Sequence, residues 1–235
     1  MDYTSCSKGQ KNTVIVAFGH TQALAEGLRQ LTVSETVHVD VLEYSTPLDK
    51  ISDIASASAI IIEIDAPACL NEGLELVKKI RTQHFLVSII VLITHTKPFK
   101  KVSCYIAGVD HCITIPAERT EKENFLSKAF HNFELEKKIH LVLDRTCLCL
   151  RGHLNKLEIS YTEMKVLDAL ICAKQHILSH DDIARVLELN IKFYDPRALE
   201  KKISRLRSKI KSTYDINAIQ NVRGFGYRLC RGIII

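Results

Sequence analysis

Five short runs of apolar, mostly β-branched residues mark the first half of the chain. They lie at 14–18, 37–42, 59–64, 88–94 and 111–115, with stretches long enough for a helix between them. One such stretch carries Leu24, Leu28 and Leu31 at helical spacing, and another carries Leu74, Val77 and Ile80. Apolar strands that alternate with helices are typical of a parallel sheet covered on both faces. We therefore predict an α/β fold for this half.

The second half has a different pattern. Residues 140–159 alternate apolar and polar positions around turn-like breaks at Asp144 and Gly152, which predicts a small antiparallel sheet. Three helices should follow, with helix starts at Thr162, at Ser179 and at the pair Asp195-Pro196. After the third helix, β-forming residues flank Gly224-Phe225-Gly226, which predicts a tight hairpin.

The third helix of this half separates its apolar and basic residues onto opposite faces. Leu199, Ile203, Leu206 and Ile210 form a stripe that predicts the buried side. The centre of the opposite face holds Arg197, Lys201, Ser204, Arg205 and Ser208, with Lys202, Arg207 and Lys209 on its flanks. A basic helix face of this kind suits the major groove of DNA, although a merely solvated basic face is the alternative.

The net charge also differs between the two halves of the chain. Residues 1–136 carry 13 Lys+Arg against 17 Asp+Glu, a net charge of −4, whereas residues 137–235 carry 19 against 10, a net charge of +9. The overall +5 conceals this division. A strongly basic second half favours a polyanionic partner, and the first half does not.

Other signals argue against a membrane protein and a disulfide framework. The longest apolar stretch, residues 85–94, has about half the length of a membrane-spanning helix, and residues 1–12 do not resemble a signal peptide. The eight cysteines form no C-x-x-C pair, so we interpret them as reduced thiols. We expect a cytoplasmic protein with no membrane partner, no metal and no cofactor.

The third strand run ends in the carboxylates Glu63 and Asp65, just before Pro67. Ligand sites of open parallel sheets lie beyond the carboxyl ends of their strands. An enzyme of flavodoxin-like or phosphatase-like type using Glu63 and Asp65 is therefore one hypothesis. It lacks a glycine-rich phosphate loop after the first strand and leaves the basic second half unexplained, so we do not expect an enzyme.

The order of strands and helices over residues 12–132 resembles the receiver domain of bacterial response regulators, which implies a flavodoxin-like, CheY-like fold. In that family the third strand ends in an aspartate that accepts a phosphoryl group, followed four residues later by proline. Counting back from Pro67 places Glu63 at the acceptor position, while a register with Asp65 there stays open. The family's switch hydroxyl corresponds to Thr94.

The resemblance also shows which parts of the phosphorylation site are missing. The acidic pair that binds magnesium is replaced by Phe18, Gly19 and His20, the lysine after strand five by Ile115, and the switch aromatic by Cys112. We therefore predict that the site is not phosphorylated. Glu63 either imitates the charge of a phosphoaspartate or is a solvated strand-end carboxylate left from a former switch.

The segments "ISRLRSKI" and "VRGFGYRL" resemble the winged-helix effector domain of OmpR/PhoB-type response regulators, as do residues 138–232 as a whole. The resemblance implies that double-stranded DNA is the partner. Base contacts would come from Arg197, Lys201, Ser204 and Arg205, phosphate contacts from Lys202 and Arg207, a minor-groove contact from Arg223 and a backbone contact from Tyr227, with Ser208 on the same helix face. The loop from Leu189 to Asp195 would contact RNA polymerase.

Together these resemblances imply a transcription regulator of the atypical, phosphorylation-independent (ChxR-like) branch of this family. The domain organisation would be a degenerate receiver at 1–133, a linker at 134–140 and a winged helix at 141–235. The family dimerises through the receiver, here residues 97–131, and binds direct repeats, so we expect a constitutive homodimer. An alternative keeps the DNA-binding half but places the receiver under the control of a small ligand or a protein partner.

Overall fold

The computed structural model describes residues 13–19, 37–48, 57, 59–84, 86–94, 99–115, 140–190 and 193–235. The chain divides into two compact units. The first unit comprises Met1–Lys97 and His111–Glu123, and the second comprises Pro98–Asp110 and Asn124–Ile235. No helix in the described part of the chain is long and apolar enough to cross a membrane.

The first unit is built on a parallel sheet of five strands. They are β1 (Thr13–Phe18), β2 (Val37–Leu42), β3 (Ala59–Ile64), β4 (Ser88–Ile93) and β5 (His111–Thr114). The strand order β2-β1-β3-β4-β5 is that of flavodoxin-like and CheY-like folds. Every residue of β3 is buried, as expected for a central strand covered on both faces. The predicted α/β fold is confirmed.

Helix α1 (Cys69–Gln83) follows β3 and packs on the sheet through its predicted apolar stripe. Val77 and Ile80 are buried, and Leu74 is half-buried. Gly73 lies where a side chain would contact Ile62 and Ile64 at van der Waals distance, so the helix comes close to β3. The other predicted helix, at Leu24 to Leu31, lies outside the described residues.

In the second unit, the described residues from 140 to 235 contain two three-stranded sheets and three α-helices in the winged-helix arrangement. Its first sheet is β6 (Val142–Asp144), β7 (Cys149–Arg151) and β8 (Lys156–Glu158), all antiparallel. Its helices are α3 (Tyr161–Cys172), α4 (His180–Val186) and α5 (Pro196–Tyr214). The second sheet has the order β10-β11-β9, with β9 (Ile177–Ser179), β10 (Ile219–Val222) and β11 (Gly226–Leu229).

Two further features belong to this unit. Residues 99–110 include helix α2 (Lys101–Ala107), which lies between β4 and β5 in the sequence but groups with the second unit. At the other end, residues 233–235 pair in parallel with the start of the first sheet. Leu141 N donates to the Ile233 carbonyl at 2.7 Å and Ile235 N donates to the Leu141 carbonyl at 2.9 Å. The C-terminal residues therefore add an edge to the sheet of β6, β7 and β8.

Helix α3 begins earlier than the sequence predicted. Its N-cap is Ser160, and the prediction of Thr162 is wrong because Thr162 already lies in the first helical turn. The Glu163 backbone N–H donates to the Ser160 hydroxyl at 3.2 Å, and the Ser160 N–H donates to the Glu163 carboxylate at 2.8 Å. This reciprocal capping box satisfies two N–H groups at the helix start. The predicted starts of α4 at Ser179 and of α5 at Asp195-Pro196 are confirmed.

Replacing Ser160 with alanine is expected to lower the free energy of unfolding by about 1 kcal/mol, because the first turn of α3 loses its side-chain acceptor. Chemical denaturation of the full chain measures the loss. Ser212→Ala is the matched control, since the Ser212 hydroxyl only donates to the Lys209 carbonyl on the same exposed helix surface. Equal losses in the two variants would contradict the importance of the cap.

Candidate nucleic-acid interface and strand-end site

Helix α5 is held in one orientation by its ends and its buried stripe. The Asp195 carboxylate accepts from the Arg197 backbone N–H at 2.9 Å, and Pro196 occupies the first helical position. Leu199, Ile203, Leu206 and Ile210 are all buried in the core of the second unit. The predicted stripe is confirmed. The opposite face of the helix must consequently point away from this core.

That opposite face is basic and open to solvent. The exposed residues on it are Arg197, Lys201, Lys202, Ser204, Arg205 and Ser208, and Arg207 is half-buried. Within the part of the chain that the structure describes, Arg197, Lys201, Lys202 and Arg205 form no ion pair with an acidic residue. Their charges are therefore not neutralised by neighbours of the described chain. A row of such cations attracts phosphate groups.

Lys209 differs from the other basic residues of α5. Its ammonium lies 2.9 Å from the Glu163 carboxylate, the same group that caps α3. Burial alone would raise the pKa of Glu163, but hydrogen bonds from Ser160 and Lys209 lower it below its ordinary value. Lys209 therefore ties the middle of α5 to the start of α3 and helps to position the basic face rather than extend it.

The hairpin of β10 and β11 forms the wing. Its register pairs Val222 with Gly226, and the Phe225 N–H donates to the Val222 carbonyl at 2.9 Å. Gly224 adopts a φ of 73°, which favours glycine in this turn. At Gly226 a Cβ atom would lie 2.1 Å from the Leu178 carbonyl oxygen. The turn holds Arg223 exposed beside the tip, where it was predicted to reach DNA.

Tyr227 does not lie on the surface as its predicted role suggested. It is 4% exposed and belongs to the core cluster of the second unit. Its ring makes an edge-on contact with His180, with the ring centroids 5.4 Å apart. Burial, with a smaller contribution from Glu200, raises the pKa of Tyr227, so its phenol stays protonated. The ring serves the core, and contact with a DNA backbone stays a prediction for the hydroxyl.

The loop before α5 presents an exposed aromatic. Phe193 is 83% exposed, and its N–H donates to the Asn190 carbonyl at 3.0 Å. The Tyr194 hydroxyl lies 3.1 Å from the Asp181 carboxylate, which anchors the end of this loop to α4. The described part of the segment from Leu189 to Asp195 is thus fixed at its base and displays Phe193 outwards.

In the first unit, the carboxyl ends of neighbouring strands meet at one edge of the sheet, as predicted. Gly19 N donates to the Leu42 carbonyl at 3.2 Å, Thr94 N to the Ile64 carbonyl at 3.1 Å and Ile115 N to the Ile93 carbonyl at 2.9 Å. The degenerate-site residues Phe18, Cys112 and Ile115 are buried, and Thr94 is half-buried. His20 lies outside the described residues.

Glu63 is 2% exposed, at the next-to-last position of β3. The interpretation of Glu63 as a solvated carboxylate is therefore wrong, because the residue is buried. The Tyr44 hydroxyl donates to the Glu63 carbonyl oxygen. Burial and the nearby Glu63 carboxylate raise the pKa of Tyr44, so a neutral phenol lies beside this acid.

Asp65 lies beyond the strand end and is half-buried. Its carboxylate hydrogen-bonds with the Cys69 thiol, and burial followed by this bond raises the pKa of Cys69. In the part of the chain that is described, no group of three His, Cys, Asp or Glu residues is placed to hold a metal ion. All seven cysteines of this part are thiols.

Sequence reasoning missed three residues that define these sites. Tyr44, which covers the strand end, follows β2 with no pattern to mark it. Arg228 and Asp110 are each 5% exposed and contact each other within the second unit, although they lie far apart in the sequence. The one available signal for Arg228 was a charged residue in a predicted strand between the buried residues Tyr227 and Leu229.

Comparison with protein families gives a match for part of the second unit. Residues 155–229 match the family described as "Transcriptional regulatory protein, C terminal". The matched region contains all three helices of the winged helix and the wing hairpin. The matched family is one of transcription regulators and not one of enzymes. Among curated proteins, no sequence matches this chain significantly.

Several solved structures are similar to the chain. Response regulator DrrB, an OmpR/PhoB homologue of Thermotoga maritima, is 14% identical over 92% of this chain and 98% of its own, with a TM-score of 0.43. The C-terminal domain of the nisin resistance regulator NsrR, a lantibiotic response regulator, is 29% identical over 38% and 90%, with a TM-score of 0.33. A response regulator receiver protein from Pseudoalteromonas atlantica is 19% identical over 53% and 99%, with a TM-score of 0.43. These scores lie below 0.5, so the fold assignment rests on strand order and helix arrangement.

Proposed function

We propose that this chain, whose residues 155–229 match the C-terminal domain of transcriptional regulatory proteins, is a DNA-binding transcription regulator of the OmpR/PhoB response-regulator type. The observation that carries the proposal is the outer face of α5. Its buried stripe fixes the helix in the core, and its exposed cations lack ion-pair partners among the described residues. Such a face has the charge and shape that the major groove accepts.

The proposed complex places α5 in the major groove and the wing beside it. Arg197, Lys201, Ser204 and Arg205 would face base edges, since they occupy the centre of the exposed face. Lys202, Arg207 and Ser208 would lie at its margin near the phosphates, where contacts fix register and carry little sequence information. Arg223, exposed next to the wing tip, would enter the adjacent minor groove.

Genomic footprinting with the purified full chain tests this function directly. The expected result is protection of a small set of sites. This protection should decrease steeply as the salt concentration rises, because binding releases counterions from the DNA phosphates and higher salt opposes that release. Uniform, weak protection of all DNA at every salt concentration would contradict a sequence-specific regulator.

We further propose that the first unit works without phosphorylation of Glu63. Glu63 is buried beside Tyr44, and hydrophobic residues occupy the positions where the family places a magnesium-binding carboxylate and a lysine, namely Phe18 and Ile115. Magnesium requires oxygen ligands that these side chains lack. Glu63 would then supply a fixed negative charge where a phosphoaspartate would otherwise form.

Incubation of the chain with acetyl phosphate and magnesium should leave its intact mass unchanged. The control is Glu63→Asp, which supplies the family's usual acceptor. Phe18 and Ile115 still occupy the positions of the magnesium-binding carboxylate and the lysine in this variant. We expect no phosphoryl gain in this variant either. A stable phosphoryl adduct on the unmodified chain, lost in Glu63→Ala, would refute phosphorylation independence.

The assembly follows from the same proposal. A homodimer pairing through the receiver, in the segment from residue 97 to residue 131, would place two α5 helices on direct-repeat DNA. The loop from Leu189 to Asp195, with Phe193 exposed, would be the surface for RNA polymerase. Much of the pairing segment lies outside the described residues, and its described part, residues 99–115, includes α2.

A further inference from the structure

The turn between β6 and β7 carries two cysteines that are separated by one residue. Cys147 lies in the turn and is exposed, whereas Cys149 opens β7 and is buried. Both are free thiols, and no other two described cysteines lie so close in the sequence. A thiol open to solvent with a second thiol close behind it is the arrangement in which oxidation leads to a reversible disulfide.

Both thiols contact the guanidinium of Arg151. The Arg151 Nη2 donates to the Cys147 sulfur at 3.7 Å. Cys149 and Arg151 are alternate residues of β7, so their side chains leave the sheet on the same face. Hydrogen bonding to the Cys149 thiol, the charge of Asp144 and hydrogen bonding to Cys147 raise the pKa of Arg151, so its guanidinium stays charged. The two sulfur atoms therefore lie around one cation.

The backbone of the turn brings the two cysteines towards each other. The Asp144 carboxylate accepts from the Cys147 N–H at 2.7 Å and lies 2.6 Å from Arg151 Nη2, so it holds both the turn and the cation. Leu148, between the cysteines, has a left-handed φ of 46°. Two residues of fully extended chain span about 6.6–7.2 Å. The bend at Leu148 shortens this span towards the Cα separation of about 4.4–6.8 Å that a disulfide requires.

The residue between the cysteines is also linked to the start of α3. The Leu148 carbonyl accepts from the Ile159 N–H at 2.9 Å. Ile159 is buried and directly precedes Ser160, the N-cap of α3. The capping partner of Ser160 is Glu163, whose carboxylate also binds Lys209 of α5. A covalent bond across Leu148 would turn its carbonyl, so a change at the cysteines would reach α5 through these contacts.

We propose that a peroxide converts Cys147 and Cys149 into a reversible disulfide, and that this disulfide weakens DNA binding by loosening the cap of α3 and the attachment of α5. First, the Cys147 thiolate attacks one peroxide oxygen, the O–O bond breaks, and the other oxygen leaves as hydroxide while a sulfenic acid forms. The Arg151 guanidinium lies where it can donate to the leaving oxygen. The hydroxide takes up the proton that Cys147 has lost.

In the second step the Cys149 thiol attacks the sulfenic sulfur, the S–O bond breaks and water leaves with the thiol proton. Two thiols and one hydrogen peroxide thus give one disulfide and two waters. The thiols lose two electrons, which the peroxide gains. A dithiol reductant reverses the reaction by thiol–disulfide exchange.

Hydrogen peroxide added to the purified full chain tests the disulfide. Peptide mapping without reductant should show Cys147 joined to Cys149 with the loss of two hydrogen atoms, and dithiothreitol should restore both thiols. Cys147→Ser should not form this disulfide. Cys172→Ser is the matched control, because Cys172 is also an exposed thiol but has no second cysteine close in the sequence, and it should respond as the unmodified chain does. Thiols that stay free, or a disulfide that leaves out either cysteine, would overturn the proposal.

The effect on α5 is measured on the same samples. Hydrogen exchange at the Ile159 and Glu163 amides should be faster in the oxidised chain, because these N–H groups bond to the Leu148 carbonyl and the Ser160 hydroxyl. The dissociation constant for a selected DNA site should rise about tenfold on oxidation and return on reduction. The affinity of Cys147→Ser should not respond to peroxide.

The expected change in DNA affinity rests on the proposed function, whereas the disulfide and the exchange rates do not. If the reduced chain bound no DNA, the proposed function would fail, and peptide mapping with hydrogen exchange would still decide whether the disulfide forms and loosens α3. A mapped disulfide that left both the exchange rates and the DNA affinity unchanged would overturn the link from the cysteines to α5.

Discussion

Arg205→Ala should weaken binding to a selected DNA site by about 1–3 kcal/mol and relax sequence preference at one base-pair position. Arg205 lies at the centre of the exposed face of α5, one residue before buried Leu206, so its direction is set by the core. A guanidinium there can donate two hydrogen bonds to a guanine edge. Alanine keeps the helix and loses both bonds.

Lys202→Ala provides the comparison, because Lys202 lies at the margin of the same face and is also exposed. It should weaken binding to all sequences alike. The slope of the logarithm of the binding constant against the logarithm of the salt concentration should fall by about 1, because one phosphate contact is lost. The measurement is selection from a random-sequence DNA library, followed by titration of the selected site and of its single-base variants. Uniform loss in both variants would contradict the division of α5 into base-reading and phosphate-contacting positions.

Gly226→Ala should destabilise the second unit by about 1–3 kcal/mol, as overpacking does in a close-packed interior. The added Cβ would meet the Leu178 carbonyl oxygen at 2.1 Å, and the Ser179 Cα at 2.8 Å. Both are backbone atoms of the neighbouring strand β9, so no side-chain rotation relieves the clash. The wing must move away from β9, and Arg223 moves with it.

Thermal unfolding and DNA titration together measure this effect. Gly224→Asn is the control on the same hairpin: the space around Gly224 is open, and asparagine tolerates a positive φ better than other residues with a Cβ. We expect its stability to change by less than about 1 kcal/mol. Similar losses in the two variants would show that the approach of Gly226 to β9 does not position the wing.

The sequence allowed good prediction of the elements whose signals are local. The five parallel strands are runs of β-branched residues, and their observed bounds differ from the predicted ones by one residue at most. The stripe of α5 was predictable because Leu199, Ile203, Leu206 and Ile210 repeat at helical spacing against a charged background. In both cases the element is determined by the burial of apolar side chains. This burial leaves a local pattern in the sequence, a continuous apolar run for the strands and a helical spacing for α5.

The missed features depend on pairs of residues distant in the sequence. Strand β9 is three residues long and is defined by its pairing with β11. Tyr44 is positioned by its contact with β3, and Arg228 is positioned by its contact with Asp110. Neither contact produces a repeating pattern in the sequence. The N-cap of α3 was a different case, since Ser160 and Glu163 do form a recognisable local pattern and Thr162 was preferred to it.

The exposed face of α5 was located correctly by a helical wheel, whereas the burial of the Tyr227 ring was not foreseen. Wheel and strand patterns report which side of an element faces the core. Tyr227 lies on the inner side of β11, as its alternation with Arg228 indicates, and its phenol suggested a surface role only through resemblance. Alternation along the strand was the more reliable guide to its burial.

The pairing of residues 233–235 with the strand that opens the second unit has a consequence for biosynthesis. Leu141 leaves the ribosome well before Ile233 and Ile235, so its two hydrogen-bond partners do not yet exist at that time. Until residue 235 has emerged, β6 keeps an unpaired edge that could associate with other nascent chains. A chain that ended shortly before these isoleucines would therefore fold into a nearly complete winged helix with an unpaired sheet edge.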